Sequence, residues 1–540
     1  MCGIFAYLSR AINNKSIQHH VSTYANKIQH RGPDNTTVVQ ITDQLYYHFH
    51  RLKINGLDEI SNQPLHIDNV WLICNGEIYN YSNILNIHGF TYKTNSDCEI
   101  IIHMYMKYGI EKTCQMLDGV FAFVLYDENT DIVYVARDHL GVRPLYIGIK
   151  DKDYGFASEL KALTFMDEVK HFPPRHYWSS KDNTFHQYYE FPNSDGLLFH
   201  HDKTEDEICD RIRFLLTEAV RKRFTLSDVE VGCLLSGGLD SSLVTAICSR
   251  FLDVPSKLKT FSIGLKGSPD LKNAQIVANH LGTNHYSYEV SEQDFLEAID
   301  ETIYCLGTYD ITTIRASVGH MLVSKYVRRD TNVKVLFSGE VADELGSYLY
   351  FLNAPDENHY HKECIRLLND IHYFDGLRSD RSISYSGLEA RVPFSDKNFL
   401  QYYLSIPTKM KMFNNHTRIE KYLLRKAFSK YGHLPDSVLW RRKNGFSDSV
   451  SSKTRSWSTI IEEHIDTIIT DEDFNKGASK YKHNTPLSKE AYYYRKKFCE
   501  YYNENGSKTH DTITPYMWLP QWCGNISDPS ARVLDIYKAD

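Results

Sequence analysis

The second residue of the chain is a cysteine. A small residue in that position lets the initiating methionine be removed, which leaves a thiol and a free α-amine on one residue. An α-amine titrates at about 7.7–8.0, so near neutrality it can take the thiol proton with no other side chain involved. Alone, a second-position cysteine is most often incidental. A second candidate lies at Leu234-Leu235-Ser236-Gly237-Gly238-Leu239-Asp240-Ser241-Ser242. Two glycines permit close backbone approach, and successive amides at the start of a helix form an anion-binding nest. The G-K-[ST] ending of a Walker loop is absent. The segment reads as a phosphate loop, with Asp240 as a Mg²⁺ ligand, since magnesium takes one or two carboxylates plus phosphate oxygens. The second carboxylate is Asp343, in Ser338-Gly339-Glu340-Val341-Ala342-Asp343-Glu344. Arg315, Lys421 and Lys443 are the candidate cations for a polyphosphate, though each alone reads as surface charge.

These residues need elements to position them. The first half of the chain reads as short strands, at Val70–Cys74, Phe121–Tyr126 and Ile132–Ala136, with a helix over Cys98–Tyr108. Asn75-Gly76 alone reads as a hairpin turn. The stretch Glu190–Asp202 loses periodicity and reads as a linker. Thr204 and Glu207 then form a capping box, opening a helix with Ile208, Ile212, Leu215, Leu216 and Ala219 on one face. Strand and helix alternate after it: Val229–Leu235, Ser241–Phe251, Leu258–Leu265, Leu271–Leu281 and His285–Val290. Two more helical segments precede a strand at Val333–Phe337. Alternation of this kind implies a doubly wound parallel sheet, with the phosphate loop and the Asp343 segment both at carboxyl ends of strands, where such sheets bind ligands. From about Asp356 the pattern is mainly helical. The stretch beyond about Tyr501 reads as partly disordered, and residues 526–540 as a tail.

Length and composition agree with two soluble domains. The chain has 540 residues, too many for one ordinary core, with 42% hydrophobic and 24% charged. No apolar run is long enough for a bilayer, and Met1–Val21 lacks the features of a signal peptide, so a cytoplasmic protein is expected. The net charge is −7, without a long basic block, which argues against nucleic acid as a partner. Eleven cysteines with no close pairs argue against a zinc ribbon or a disulfide framework.

Several ordered segments surround Cys2. Cys2-Gly3-Ile4-Phe5 is followed by His30-Arg31-Gly32-Pro33-Asp34, His50-Arg51-Leu52, Asn75-Gly76-Glu77-Ile78-Tyr79 and Ser96-Asp97-Cys98-Glu99. This set resembles the class II glutamine amidotransferases over about residues 2–190. The resemblance implies an αββα sandwich with an amino-terminal nucleophile, Cys2. It implies that Arg51 clamps the glutamine carboxylate, that Asp97 and Glu77 meet its ammonium, and that backbone near Leu52 and Ile54 touches it. It places the Asn75 side chain and the Gly76 amide in the oxyanion hole.

The Ser236–Ser242 loop is similar to that of the PP-loop ATP pyrophosphatases. An amidotransferase followed by such a domain, here over about 205–525, resembles the glutamine-dependent asparagine synthetases. Further support lies at Gly267–Leu271, Tyr309–Ser317, Gly387–Phe394 and Arg442–Ser447. The resemblance implies glutamine, aspartate and ATP as substrates, with Mg²⁺, a β-aspartyl-AMP intermediate and an internal ammonia tunnel. Leu234, Ser236, Gly237, Gly238, Asp240, Ser241, Ser242, Ile263, Ser338 and Gly339 would hold the nucleotide. Thr312, Arg315, Lys421 and Lys443 would sit near phosphate and aspartate. Glu340 would capture the intermediate, as the base that deprotonates incoming ammonium. Homodimers occur in the resembling family. The family's usual S-G-E-G-S-D-E is here S-G-E-V-A-D-E, in a segment one residue shorter. If the loop needs positive φ there, Val341 resists it, with consequences for the synthetase rate or for Mg²⁺ placement. Amidation of another carboxylate and a non-catalytic sensor of glutamine or nucleotide are the competing readings.

Overall fold

A computed structural model describes residues 1–9, 21–192, 203–414, 417–443, 449–452, 454–503 and 509–529. The predicted linker lies mostly outside the described residues, as do residues 530–540 of the expected tail and Asn444–Ser447. Among the described residues, twelve strands build the amino-terminal half. They are β1 (Gly3–Leu8), β2 (Asn35–Gln40), β3 (Leu45–Arg51), β4 (Leu65–Ile67), β5 (Val70–Ile78), β6 (Gly119–Asp127), β7 (Ile132–Arg137), β8 (Tyr146–Lys150), β9 (Asp153–Ala157), β10 (Glu168–His171), β11 (His176–Ser179) and β12 (Thr184–Gln187). They form two six-stranded sheets in the orders β10-β8-β9-β1-β3-β2 and β12-β11-β7-β6-β5-β4.

Period-two alternation stacks these sheets. Ile4, Ala6 and Leu8 of β1 enter a core shared with Ile73, Val124, Val135 and Trp178 of the other sheet. Phe5 and Tyr7 point the other way, onto Ala25 and Ile28. On the far side of the second sheet, Ile100, Ile101 and Met104 of the helix Glu99–Met116 cover Leu72, Cys74, Phe121 and Phe123. The result is the expected αββα sandwich. The helix predicted over Cys98–Tyr108 runs on to Met116, through a break at Gly109 with φ 75°.

The carboxyl-terminal half holds β13 (Val231–Leu234), β14 (Lys259–Leu265), β15 (Asn284–Val290), β16 (Val335–Phe337) and β17 (Glu389–Arg391). They form one parallel sheet in the order β15-β14-β13-β16-β17. Side chains alternate between two cores, with Leu234, Phe261, Ile263 and Leu336 on one face and Cys233, Leu235, Val335 and Phe337 on the other. Chain order reverses between β13 and β16, and a doubly wound sheet opens a ligand crevice at that switch point. The loops leaving β13 and β16 are Ser236–Ser242 and Ser338–Glu344. The capping box is present: Thr204 accepts from the Glu207 amide, and Glu207 accepts from the Thr204 amide.

β17 joins the two halves. Its Glu389 and Arg391 are buried, and Glu389 lies 3.2 Å from Arg143 of the first half. Arg31 pairs with Asp380 at 2.8 Å across the same interface. No described helix is long and apolar enough to cross a membrane.

Candidate active site

Two sites and a cavity between them emerge from this framework. In the first, antiparallel pairing of Gly3 with His50 sets Cys2 beside the end of β3. The Cys2 thiol contacts the Leu52 carbonyl at 3.8 Å. Burial pushes the thiol pKa up, against the lowering effect of the nearby amino terminus. With Met1 in place, its α-amine is buried, 3.8 Å from Glu389, and burial lowers its pKa to about 6.

Asn75 and Gly76 lie inside β5, paired with Ala122 and Phe121, so Asn75-Gly76 is not the turn its dipeptide suggests. Only glycine fits at 76, because a Cβ there would meet the Val120 carbonyl oxygen at 2.6 Å. The Asn75 side chain is buried, and neither its oxygen nor its nitrogen has a hydrogen-bond partner among the described residues. A buried polar group left unmet costs about 1–3 kcal/mol. That expense marks a group set for a ligand.

Asp97 accepts a 2.6 Å hydrogen bond from the Ile78 amide, and burial raises its pKa to about 6. Burial, then the charges of Glu389 and Asp97, raise Glu77 well above the usual carboxylate range. The Ile54 carbonyl accepts from the Asp228 amide at 3.0 Å, tying this loop to the second half. Arg51 is buried, but its guanidinium donates to the carbonyls of Asn55, Gly56 and Asp58 and to the Asn62 side chain. Its fork faces the 55–62 loop in this structure.

The second site is the crevice at the switch point. It is lined by Leu234, Ser236, Gly238, Asp240, Ser241, Ile263, Ser338, Gly339 and Asp343, expected at the nucleotide or metal, by Lys421 and Lys443, expected near phosphate and aspartate, and by Glu340, expected at the intermediate. The helix Leu239–Ser249 has Gly238 as its N-cap and no side-chain cap, which leaves first-turn amides for an anion. Gly237 has φ 71°, and a Cβ there would meet the Asn273 carbonyl carbon at 2.4 Å. The Ser242 hydroxyl is buried and unpartnered among the described residues.

Asp240 and Asp343 converge, since both contact the Lys421 ammonium. Lys443 contacts Asp343 as well. Burial pushes Asp343 up, but Lys421 and Lys443 outweigh it and hold the carboxyl far below its usual range. The Asp240 Oδ1 oxygen is buried without a hydrogen-bond partner among the described residues. Two converging carboxylates with an unmet oxygen beside a phosphate-type nest fit Mg²⁺, which completes its shell with phosphate oxygens and water.

The expected placement of Arg315 and Thr312 near the phosphoryl centre is not what the structure displays. Neither lines the crevice. Arg315 is only 5% exposed and is taken up by Glu490, at 2.8 Å from Nε, and by Asp528, at 2.9 Å. Opposed carboxylates from the carboxyl-terminal segment satisfy its fork. The Thr312 hydroxyl is buried and unpartnered among the described residues.

Glu340 stands between the crevice and a second cavity. It lines both, and the second cavity lies between the two halves, formed with Leu140, Val142, Ile371, Gly376, Ala390 and Val392. Cys2 packs on the apolar cluster that contains Leu52, Ile54, Leu140, Val341 and Val392. Arg378 holds Glu340 at 2.5 Å, and His320 lies 3.7 Å away. Burial outweighs Arg378 and raises the Glu340 pKa to about 7, while burial lowers His320 to about 3, so that ring is neutral. Arg378, His320 and Arg143 lie in no sequence motif, and Glu389 falls within the Gly387–Phe394 resemblance, which gave it no role. Val341 has φ 79°: the loop keeps a left-handed conformation with a β-branched residue in it.

Comparison with known proteins bears on both halves of the chain. The family model for a glutamine amidotransferase domain matches residues 1–200, and that for asparagine synthase matches 211–359 and 352–523. An asparagine synthetase [glutamine-hydrolyzing] of Gallus gallus is 40% identical over 573 residues, covering 100% of this chain and 99% of the relative. The one from Homo sapiens is 40% identical over 577 residues with the same coverage. A solved structure of an allosteric regulatory enzyme of purine biosynthesis matches with a TM-score of 0.30 and 19% identity, over 43% of this chain and 60% of that one, too loosely to bear on function.

Proposed function

The chain belongs to the glutamine-hydrolysing asparagine synthetases, and we propose that its two sites make asparagine from aspartate, ATP and glutamine by the following division of labour. Removal of Met1 gives Cys2 a free α-amine, which takes the thiol proton. The thiolate attacks the glutamine amide carbon. Negative charge on the tetrahedral oxygen falls to the Asn75 side chain and the Gly76 amide; one such donor is typically worth about 2.7–4 kcal/mol in the transition state. Ammonia leaves, and water releases glutamate from the thioester. The buried carboxyls of Asp97 and Glu77 suit the substrate's ammonium, which would pull both pKa values down. Arg51 receives the carboxylate in exchange for carbonyls of the 55–62 loop.

In the crevice, the amides of the Ser236–Ser242 loop, with Lys421 and Lys443, hold the triphosphate. Mg²⁺ held by Asp240 and Asp343 would neutralise charge on the phosphates. The aspartate side-chain carboxylate attacks the α-phosphorus, pyrophosphate leaves, and β-aspartyl-AMP forms. Ammonia then attacks the activated carbonyl. Glu340, with its pKa near neutrality, takes the proton lost by nitrogen as AMP departs. The observation that carries this reading is the position of Glu340 and Val341 in the walls of both the crevice and the interdomain cavity. That cavity is then the route of ammonia from Cys2. Eleven free cysteines support a reducing, cytoplasmic setting.

Product analysis with a panel of carboxylic acids tests the proposal. Aspartate alone should drive release of AMP and pyrophosphate, and Cys2→Ala should stop glutamate release while ammonia still supports synthesis. Formation of ADP and phosphate would exclude adenylation.

A further inference from the structure

Val341 stands at a singular point. Among the described residues, only Glu340 and Val341 line both the crevice and the interdomain cavity. Val341 is 4% exposed and packs in the cluster that reaches Leu140 and Cys2. Its φ of 79° is one that a β-branched residue rarely tolerates. Such a conformation persists only where its surroundings impose it, and they do so here on both sides. Gly339 is pressed on the phosphate loop, where a Cβ would meet the Ser241 nitrogen at 2.5 Å. Glu340 is tied to Arg378, and Asp343 is tied to Lys421 and Lys443.

We propose that the Val341 side chain is the gate between the interdomain cavity and the nucleotide crevice, held shut by the ion pairs of Asp343 with Lys421 and Lys443. This inference rests on the preceding reading of the cavity as the ammonia route. A triphosphate in the crevice competes with Asp343 for both lysines. Once they are drawn away, the loop is released from the constraint that keeps Val341 left-handed, and the side chain swings partly aside, leaving a passage whose width is set by its size. Ammonia is thereby admitted when there is nucleotide to receive it.

The test is the ratio of glutamine-dependent to ammonia-dependent asparagine synthesis at saturating ATP and aspartate, across V341G, V341A, wild type and V341L. Damage confined to the crevice lowers both rates together and leaves the ratio fixed. A gate makes the ratio depend on side-chain size, with several-fold gains in V341G and V341A and a several-fold loss in V341L. The two smaller variants relieve strain or leave the backbone unchanged, so the test survives if V341L fails to fold. A ratio indifferent to side-chain size overturns the gate. Val142→Trp, which fills the interdomain cavity itself, separates the two failures. If V142W cuts the ratio while the Val341 series is flat, the gate falls and the route stands; if V142W also leaves it unchanged, both fall.

Discussion

Glu340→Gln is the sharpest perturbation of this site. Gln has the shape of the protonated carboxyl and cannot ionise. The Glu340 pKa is raised from 4.5 to about 7, chiefly by burial and in spite of Arg378. The folded protein therefore holds this proton more tightly than the unfolded chain does. The associated stability is fully present below pH 4.5 and is lost as pH rises through about 7. At about 1.4 kcal/mol per pH unit, this linkage removes about 1 kcal/mol of stability at pH 5.5, where only the unfolded chain ionises, and about 3 kcal/mol at pH 8. Glu340→Gln escapes that cost, so its advantage over wild type in urea unfolding should grow from about 1 to about 3 kcal/mol between those pH values. The same variant should lose asparagine synthesis with either nitrogen source while glutamate release persists. A variant no more stable than wild type at pH 8, or one that still makes asparagine, would refute the assignment of a buried base.

Three further outcomes follow from the geometry. Asn75→Ala should lower glutaminase kcat by about 10²–10³, read as glutamate release. It should not lower the unfolding midpoint, because the alanine removes a buried amide that bonds to no described residue. Arg315→Ala should behave as a stability variant, costing about 3–5 kcal/mol by stranding buried Glu490; an unchanged melting temperature with a large fall in synthesis would instead place Arg315 at the phosphates. The Val341 series should shift the balance between nitrogen sources as set out above.

Much of this was legible in the sequence because the motifs sit where the fold needs them. The phosphate loop announces itself through Gly237 and Gly238, and the switch point follows from strand and helix alternation. β17 was illegible as a strand: Glu-Ala-Arg has no apolar signature, and its burial is bought by Arg143 pairing with Glu389 from the other half. The Asn75-Gly76 dipeptide misleads because turn chemistry is local, while the close approach of β6 that demands Gly76 comes from the Val120 carbonyl, 44 residues downstream. Arg315 misleads for a similar reason, since Glu490 and Asp528 reach it only through tertiary packing. Val341 was legible as a residue that resists positive φ. That the loop would impose it anyway required the positions of Arg378, Lys421 and Lys443.

The central claim is that ammonia made at Cys2 reaches Glu340 through the protein. Synthesis with amide-¹⁵N glutamine in a large excess of unlabelled ammonium measures this directly. The account predicts asparagine whose amide carries ¹⁵N far above its share of the dissolved ammonium. Asparagine with the isotopic composition of the medium would contradict it.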